Sequence, residues 1–330
     1  MTRWEPDPLG AHWQQTTLDL GADDEGAVVA TVVRAVPDGT AVADRPAVLY
    51  VHGFNDYFFQ THLGEALRAH GYELYALDLR KCGRSLRPWQ TPHSCADLLD
   101  YVPELTAAAA LVRGELGHRR LVLMGHSTGG LLASLWAHSL RETDVLDALV
   151  LNSPWFDLNA RWFQRVVATR VLDVAGPLDP KRVLADGPSE YSYRLHVAHG
   201  GVWDYDLTLK PPEGFPVRAG WLRAVRRGQA RLARGLDIAV PVLVCSSASS
   251  GPNNAANPDL DRQDTILDVR QIATRSALLG PDVTLVRIPD GVHDLSLSAP
   301  APRALYLETV TRWLEARVPA PEPGRADRAV

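Results

Sequence analysis

The 330-residue sequence predicts an α/β protein in which helices flank a mostly parallel central sheet and a cap is inserted into that core. Three observations predict this architecture. Short, continuous apolar runs, which are typical of buried parallel strands, alternate with segments of helical periodicity. One of these runs leads through a glycine-rich turn directly into a helical segment. The alternation stops over residues 155–236, which are rich in aromatic residues, arginine, proline and glycine.

The predicted elements follow one another along the whole chain. Two alternating runs within residues 12–35 predict a hairpin. Apolar runs predict parallel strands at residues 47–52, 73–78, 121–124, 148–152, 241–246 and 283–288. Helical segments cover residues 61–70, 94–116, 131–140, 266–279 and 302–317. Ligands of such sheets bind at the carboxyl ends of the strands, so polar residues directly after strands are the candidate site residues.

The composition is that of an ordinary globular protein. Hydrophobic residues make up 46% and charged residues 22% of the chain, and a net charge of -5 gives no sign of nucleic-acid binding. No apolar run approaches the ~20 residues of a membrane-spanning helix, and the N-terminus lacks an apolar signal core. We therefore expect a cytoplasmic protein without stable membrane insertion. The widely spaced Cys82, Cys95 and Cys245 argue against a disulfide framework and a CxxC metal site.

We expect the chain to divide into four segments. These are a first part of the core over residues 1–154, an inserted cap over residues 155–236, a second part of the core over residues 237–318, and a disordered tail over residues 319–330. The basic stretch at residues 218–234 is interpreted as a solvated helix face, with contact to an anionic substrate as the alternative. The cap arginines Arg161, Arg165 and Arg170 are interpreted in the same two ways. The sequence gives no indication of oligomeric state.

Ser127 is the candidate nucleophile. It lies at the centre of Gly125-His-Ser127-Thr-Gly129, between an apolar strand and a helical segment. A sharp turn between strand and helix brings neighbouring backbone very close, and the two glycines have no side chain that would clash there. The positive end of the following helix also tolerates negative charge that develops near the serine.

A serine hydroxyl needs a general base, and the base needs an orienting carboxylate. In a strand–turn–helix context of this kind, the expected chain order is serine, carboxylate, histidine. His293 follows a predicted strand and a glycine-containing turn, so it is the candidate base. Asp264 is the favoured carboxylate because it directly precedes a helical run. The alternatives, in order, are Asp268 and then Asp259 or Asp261.

An oxyanion hole requires two backbone N–H donors. The residue after the nucleophile, Thr128, supplies one, and we expect Phe54, in the loop after an earlier strand, to supply the other. His52 is interpreted as a structural histidine that holds this loop by hydrogen bonds. The turn at residues 78–85 and Asp294, which is adjacent to the candidate base, are also interpreted as structural.

Together these residues resemble the α/β-hydrolase superfamily, and within it the branch of monoacylglycerol lipases, lysophospholipases and serine aminopeptidase-type hydrolases. The resembling pieces are His52-Gly53-Phe54, Asp78-x-Arg80-x-x-Gly83-x-Ser85, Gly125-His-Ser127-Thr-Gly129-Gly130 and Gly291-Val-His293-Asp-Leu. The resemblance covers about residues 12–317 and implies a Ser127–Asp264–His293 triad, no cofactor, and a cap after residues 152–154. From the composition we also expect no metal. There are two departures from the family pattern. An insertion rich in asparagine and serine, residues 246–263, precedes the aspartate, and Cys82 replaces a more usual glycine or histidine.

The function implied by this resemblance is hydrolysis of a carboxylic ester through an acyl-enzyme on Ser127. We expect the substrate to be a small apolar or aryl ester, because the cap is rich in aromatic residues. The alternatives on the same triad are an amidase or peptidase, a lactonase and a carbon–carbon bond hydrolase. An alternative of another class is a binding protein that turns its small-molecule ligand over slowly. A serine at the nucleophile position disfavours epoxide hydrolases and dehalogenases, which use a carboxylate there.

Overall fold

The computed structural model describes residues 2–37, 42–158, 178–187 and 189–320. Its first strands are β1 (Glu5–Pro6), β2 (Trp13–Asp23), β3 (Gly26–Ala35), β4 (Ala47–Val51), β5 (Glu73–Asp78), β6 (Leu121–His126) and β7 (Ala148–Asn152). The later strands are β8 (Val183–Ala185), β9 (Val217–Arg218), β10 (Val242–Ser247) and β11 (Val283–Ile288). The helices are α1 (Thr61–Ala69), α2 (Val102–Ala110), α3 (Thr128–Ser139), α4 (Glu190–Leu195), α5 (Ala219–Leu232), α6 (Val269–Ser276) and α7 (Pro300–Arg317).

Within the described residues, nine strands form the main sheet in the order β1-β2-β3-β5-β4-β6-β7-β10-β11. The strands from β5 to β11 in this order pair in parallel, whereas β1, β2 and β3 are antiparallel to their neighbours. The remaining strands, β8 and β9, pair with each other in a small antiparallel sheet. The prediction of an α/β fold with a mostly parallel sheet is therefore confirmed.

The continuous apolar runs occur because the central sheet is covered by buried side chains on both of its faces. Successive side chains of a strand point to opposite faces, so a strand covered on both faces is apolar throughout. In β4, Leu49 and Val51 pack into one buried cluster, and Val48 and Tyr50 pack into another on the opposite face. All four side chains are at most 1% exposed.

The helix predicted for residues 94–116 begins later than predicted. The side chain of Asp97 accepts a hydrogen bond from Leu99 N–H and closes a capping box, so a 3-10 turn, Leu98–Tyr101, comes first and α2 follows. The helix then ends in a π-helical turn, Leu111–Glu115. An N-cap residue has non-helical backbone angles, which explains why the helical turns begin only after Asp97.

The helix predicted for residues 266–279 also begins later, for the same reason, and it ends earlier, at Ser276. Asp268 is the N-cap of α6, and its carboxylate accepts a hydrogen bond from the N–H of Arg270.

Three strands, β1, β8 and β9, were not predicted at all. Each has only two or three residues, which is too short to show a periodicity.

The described residues between β7 and β10 contain α4, the small β8–β9 sheet and α5. The prediction of a solvated basic face for residues 218–234 is wrong at Arg226, whose side chain is 12% exposed and lies 3.2 Å from a carboxylate oxygen of Asp157. Three arginines of the predicted cap, Arg161, Arg165 and Arg170, and residues 321–330 of the predicted tail lie outside the described residues. The division into core and cap at residues 154 and 236 stays a prediction.

Among the described helices, none is both long enough and apolar enough to cross a bilayer.

Candidate active site

The candidate site lies at the edge where three parallel strands end together. Val51 of β4 is paired with Gly125 of β6, which in turn is paired with Leu151 of β7. The chain then enters the loop after β4, the turn that carries Ser127, and the segment after β7. This is the edge at which sheets of this kind bind ligands.

Ser127 occupies a strained turn between β6 and α3. Its backbone angles are φ 52° and ψ -117°, which residues other than glycine rarely adopt. A Cβ atom added at Gly125 would lie 2.6 Å from Gly129 O, and one added at Gly129 would lie 2.3 Å from His52 O. Only glycine therefore fits at both positions, and the packing of the surrounding backbone holds the serine in this conformation.

His293 lies in hydrogen-bonding distance of both Ser127 and Asp264. Nε2 of His293 is 3.0 Å from Ser127 Oγ, and Nδ1 is 3.0 Å from Asp264 Oδ2. The three residues are 8%, 5% and 0% exposed. Because the carboxylate can only accept, Nδ1 carries the proton and Nε2 presents its lone pair to the serine hydroxyl. This is the arrangement that a general base next to a nucleophile requires.

The other candidate aspartates lie elsewhere. The Asp268 carboxylate caps α6, as described above, and pairs with the side chain of Arg270. Asp259 and Asp261 lie within the insertion, at the start of the 3-10 turn Leu260–Arg262, where Asp261 pairs with Arg194. The structure thus brings only Asp264, among the four, into contact with His293.

The insertion explains how a residue so far from the end of β10 returns to the site. Asp264 N–H donates to Ser249 O at 3.0 Å, and Gly251 N–H donates to Asp264 O at 3.2 Å, so residues 252–263 form a loop with adjacent ends. The second carboxylate oxygen of Asp264, Oδ1, accepts hydrogen bonds from the N–H groups of Ile266 and Leu267. These contacts fix the carboxylate before it meets the histidine.

The two expected oxyanion donors border the same cavity as the serine. Phe54 and Thr128 both line it, and a Cβ atom added at Gly53 would lie 3.1 Å from Ser127 Cβ. His52 binds the loop through both ring nitrogens: Nε2 accepts from Leu79 N–H at 3.1 Å, and Nδ1 lies 2.7 Å from Gly53 O. Because Nε2 accepts, Nδ1 is the donor, and both nitrogens are used in holding the loop.

The cavity beside Ser127 has a volume of about 520 Å³. The side chains that line it include a large apolar group: Phe54, Trp155, Leu158, Phe215, Val217, Trp221, Leu222, Ile266 and Leu267. Some of these residues come from the core and others from the segment between β7 and β10. An apolar wall with a few convergent polar groups is the usual form of a small-molecule site.

A model of the family described as serine aminopeptidase, S33, matches residues 43–250, which is more than half of the chain. This chain belongs to the serine aminopeptidase S33 family. The predicted resemblance to this branch of the α/β-hydrolases is therefore confirmed, and the chain is a hydrolase of the α/β type. Family membership by itself identifies neither the bond that is cleaved nor the residues that cleave it.

Solved structures share the fold of this S33-family hydrolase at low sequence identity. A soluble variant of monoglyceride lipase from Saccharomyces cerevisiae is 16% identical with a TM-score of 0.66, over 96% of this chain and 95% of that one. A monoacylglycerol lipase from Paleococcus ferrophilus is 17% identical with a TM-score of 0.62, over 92% and 99%. A curated relative, Epoxide hydrolase 3 of Xenopus tropicalis, is 39% identical over 114 residues. That match covers 33% of this chain and only 28% of the relative's length.

The S33-family hydrolase also has a cluster of buried titratable residues in the cavity that the sequence did not indicate. We call Asp56, His126, Lys210 and Asp294 the polar corner; all four line the cavity and are at most 7% exposed. They come from four separate parts of the chain, so no local spacing indicates them. Side-chain atoms of Asp56, His126 and Asp294 that could bind a metal ion lie within 4.8 Å of one another. Lys210 Nζ lies 2.6 Å from Asp56 Oδ1, so a positive charge already occupies this position.

Asp294 is structural, since its carboxylate accepts hydrogen bonds from Asn152 Nδ2 at 2.7 Å and from Ser296 N–H at 3.0 Å. Burial by itself would raise the pKa of Asp294. The nearby His126 and the hydrogen bond from Ser296 outweigh burial and lower the pKa from 3.8 to about 2. The ionised carboxylate therefore stabilises the folded state.

This lowered pKa predicts a specific acid sensitivity. A group with a lowered folded-state pKa stabilises the protein above its unfolded pKa and loses this effect as the pH falls through the folded value. We expect the wild type to lose about 2 kcal/mol of unfolding free energy, relative to Asp294→Asn, as the pH falls from near neutral to about 2. Urea denaturation of both proteins across this range measures the difference. A difference that does not change with pH would contradict the assignment.

Proposed function

We propose that this hydrolase cleaves carboxylic esters through an acyl-enzyme on Ser127. The observation that carries the proposal is the continuous contact from Asp264 through His293 to Ser127, with two distances of 3.0 Å, at the wall of a mostly apolar cavity. These three groups have the chemistry and the order that nucleophilic acyl transfer requires.

In the proposed mechanism, Ser127 Oγ attacks the ester carbonyl while His293 Nε2 takes the hydroxyl proton. The N–H groups of Phe54 and Thr128 bind the oxyanion that forms, and Asp264 holds the imidazole and stabilises its cationic form. His293 then protonates the leaving alcohol. Water, deprotonated by the same histidine, attacks the acyl-enzyme and releases the carboxylic acid.

The cavity supports an apolar acyl or aryl group as the part of the substrate that is bound. Trp155, Trp221 and Phe215 offer large apolar surfaces, and burial of each CH₂ group of an acyl chain contributes about 0.8 kcal/mol. A volume of about 520 Å³ is that of a drug-sized ligand site. We therefore expect medium-length acyl chains or aromatic acids to be preferred over acetate.

Cleavage of an amide or peptide bond is the second candidate. The description of the family as serine aminopeptidases favours it, and the same triad performs that reaction. The similarity to Epoxide hydrolase 3 does not extend this list, because a serine, not a carboxylate, stands at the turn after β6. A lactonase, a carbon–carbon bond hydrolase and a slow-turnover binding protein remain compatible with the geometry.

Steady-state hydrolysis of p-nitrophenyl esters of graded acyl length, beside the matching p-nitroanilides, tests the proposal. We expect turnover of the esters that rises with chain length and disappears in Ser127→Ala, and slower or no turnover of the anilides. A preference for the anilides would favour the peptidase. A burst of p-nitrophenol equal to the enzyme concentration, with no steady state, would favour the binding protein. Ester turnover that persists in Ser127→Ala would overturn the mechanism.

A further inference from the structure

The loop that carries the proposed oxyanion donor is held both by residues at the end of β5, where Phe58 N–H donates to Asp78 Oδ1 at 2.9 Å, and by residues outside the main sheet. We call residues 53–59 the oxyanion loop. Three successive side chains of this loop bind one short segment between β9 and α4. Asn55 Nδ2 donates to Pro211 O at 3.1 Å, Asp56 Oδ1 lies 2.6 Å from Lys210 Nζ, and the Tyr57 hydroxyl accepts from Asp206 N–H at 2.8 Å.

Aromatic contacts extend this attachment to both ends of the loop. The ring of Phe54 packs against Trp221 of α5 with 4.1 Å between centroids, and that of Phe59 packs against Tyr205 with 4.6 Å. Five of the six residues from Phe54 to Phe59 therefore contact residues 205–221. The conformation of the part of this loop that includes Phe54 therefore depends in part on where residues 205–221 lie.

Among these contacts, the ion pair between Lys210 and Asp56 has the strongest directional effect. The two side chains are only 9% and 3% exposed, so their attraction is weakly screened by solvent. The ammonium group also lies over the rings of Phe59 and Tyr205, at 5.3 and 5.8 Å from their centroids. The second carboxylate oxygen of Asp56 is buried and has no hydrogen-bond partner among the described residues, so Lys210 is the contact that holds this carboxylate.

We propose that Lys210 is a positioning residue for catalysis. It binds Asp56, two residues after the donor Phe54, and thereby holds the Phe54 N–H where the oxyanion forms. The same contact couples the oxyanion hole to the position of residues 205–221. This inference rests on the proposed function, because it assigns a role in the oxyanion hole to the loop. A movement of residues 205–221 away from the core would therefore disassemble the oxyanion hole. Chemistry would then proceed only when this segment is closed over the substrate.

The test compares three variants with the wild type. Lys210→Met removes the ammonium group but keeps an apolar stem of similar length. The double variant Asp56→Asn, Lys210→Met removes both charges and leaves no unpaired buried carboxylate. Arg194→Met is the matched control, because it removes a second ion pair, to Asp261 at 3.2 Å, that does not involve the oxyanion loop. Rates are normalised to active enzyme by titration with a fluorophosphonate.

We expect Lys210→Met to lower kcat by about 10- to 100-fold with KM changed less than about threefold, since a small displacement of a positioned group has effects of this size. Inhibition by a trifluoromethyl ketone, which forms an oxyanion on the serine, should weaken by the same factor as kcat/KM falls. The double variant should remain as slow as Lys210→Met, whereas Arg194→Met should keep wild-type kcat. Recovery of kcat in the double variant would overturn the proposal, because the defect would then come from the unpaired carboxylate alone.

A second measurement separates this inference from the proposed function. Hydrogen–deuterium exchange of the peptide covering residues 52–60 requires no substrate. We expect exchange to be faster in Lys210→Met and in the double variant than in Arg194→Met or the wild type. Unchanged exchange in both Lys210 variants would overturn the inference even if the wild type is an esterase. Faster exchange in a protein that hydrolyses no ester would retain the attachment and reject only the proposed reaction.

Discussion

Replacing Asp264 by asparagine is expected to lower kcat by about 10⁴-fold while leaving the fold intact. The carboxylate faces His293 Nδ1 at 3.0 Å and is fully buried, so no water can take its place. An asparagine oxygen at the position of Oδ1 can still accept from Ile266 N–H and Leu267 N–H, which keeps the loop in place. Its NH₂ group would then face Nδ1 and force the histidine into the tautomer that carries the proton on Nε2. That tautomer cannot accept the serine proton.

Asp268→Asn is the matched control for this experiment. This residue was the second candidate for the triad acid, and it lies only four positions further along the chain. In the structure it caps α6, and asparagine is an equally good N-cap residue. We expect kcat and the midpoint of thermal unfolding to stay close to those of the wild type. Steady-state kinetics with the best ester identified above measures both variants. If the large loss appeared in Asp268→Asn and not in Asp264→Asn, the proposed triad would be wrong.

Gly129→Ala is expected to have the largest effect on stability. A Cβ atom at this position would lie 2.3 Å from His52 O and 2.5 Å from Val51 O, and both are backbone atoms at the end of a central strand. Neither can rotate away, so the turn that carries Ser127 or the end of β4 must move. Overpacking typically costs about 1–3 kcal/mol of unfolding free energy, and we expect the upper end of this range because both clashing atoms belong to the backbone. We also expect loss of ester hydrolysis, because the displaced backbone includes the loop of the oxyanion donor.

Gly114→Ala provides the control for this substitution. Gly114 is exposed and lies in the helical turn Leu111–Glu115, and a Cβ atom there would meet no atom outside its own turn within 4 Å. Alanine is favoured over glycine in a helix, so we expect a gain of about 0.5–1 kcal/mol and unchanged activity. Chemical denaturation of both variants measures the contrast. Equal stability of Gly129→Ala and the wild type would show that the turn is not as closely packed as the structure has it.

Local patterns in the sequence were sufficient to predict the parallel strands, the turn at Ser127 and the position of His293 at a strand end. A strand covered on both faces is apolar at every position, and a turn packed between two backbones requires glycine, so both features are visible in a few consecutive residues. The early hairpin was predicted from its alternation in the same way, and its two strands are β2 and β3. The start of α2 was not predicted correctly, because the capping box at Asp97 interrupts an otherwise helical pattern.

Tertiary structure alone decided which residues meet. Four aspartates follow β10 with similar local surroundings, and the contact of Asp264 with His293 arises because the ends of the preceding loop are joined by backbone hydrogen bonds. The polar corner could not be predicted, since Asp56 and Lys210 are more than 150 positions apart. Interactions between such residues depend on distance in space and on burial, which strengthens a charge pair by excluding water. The periodicity of a sequence reports only on which face of an element each residue lies.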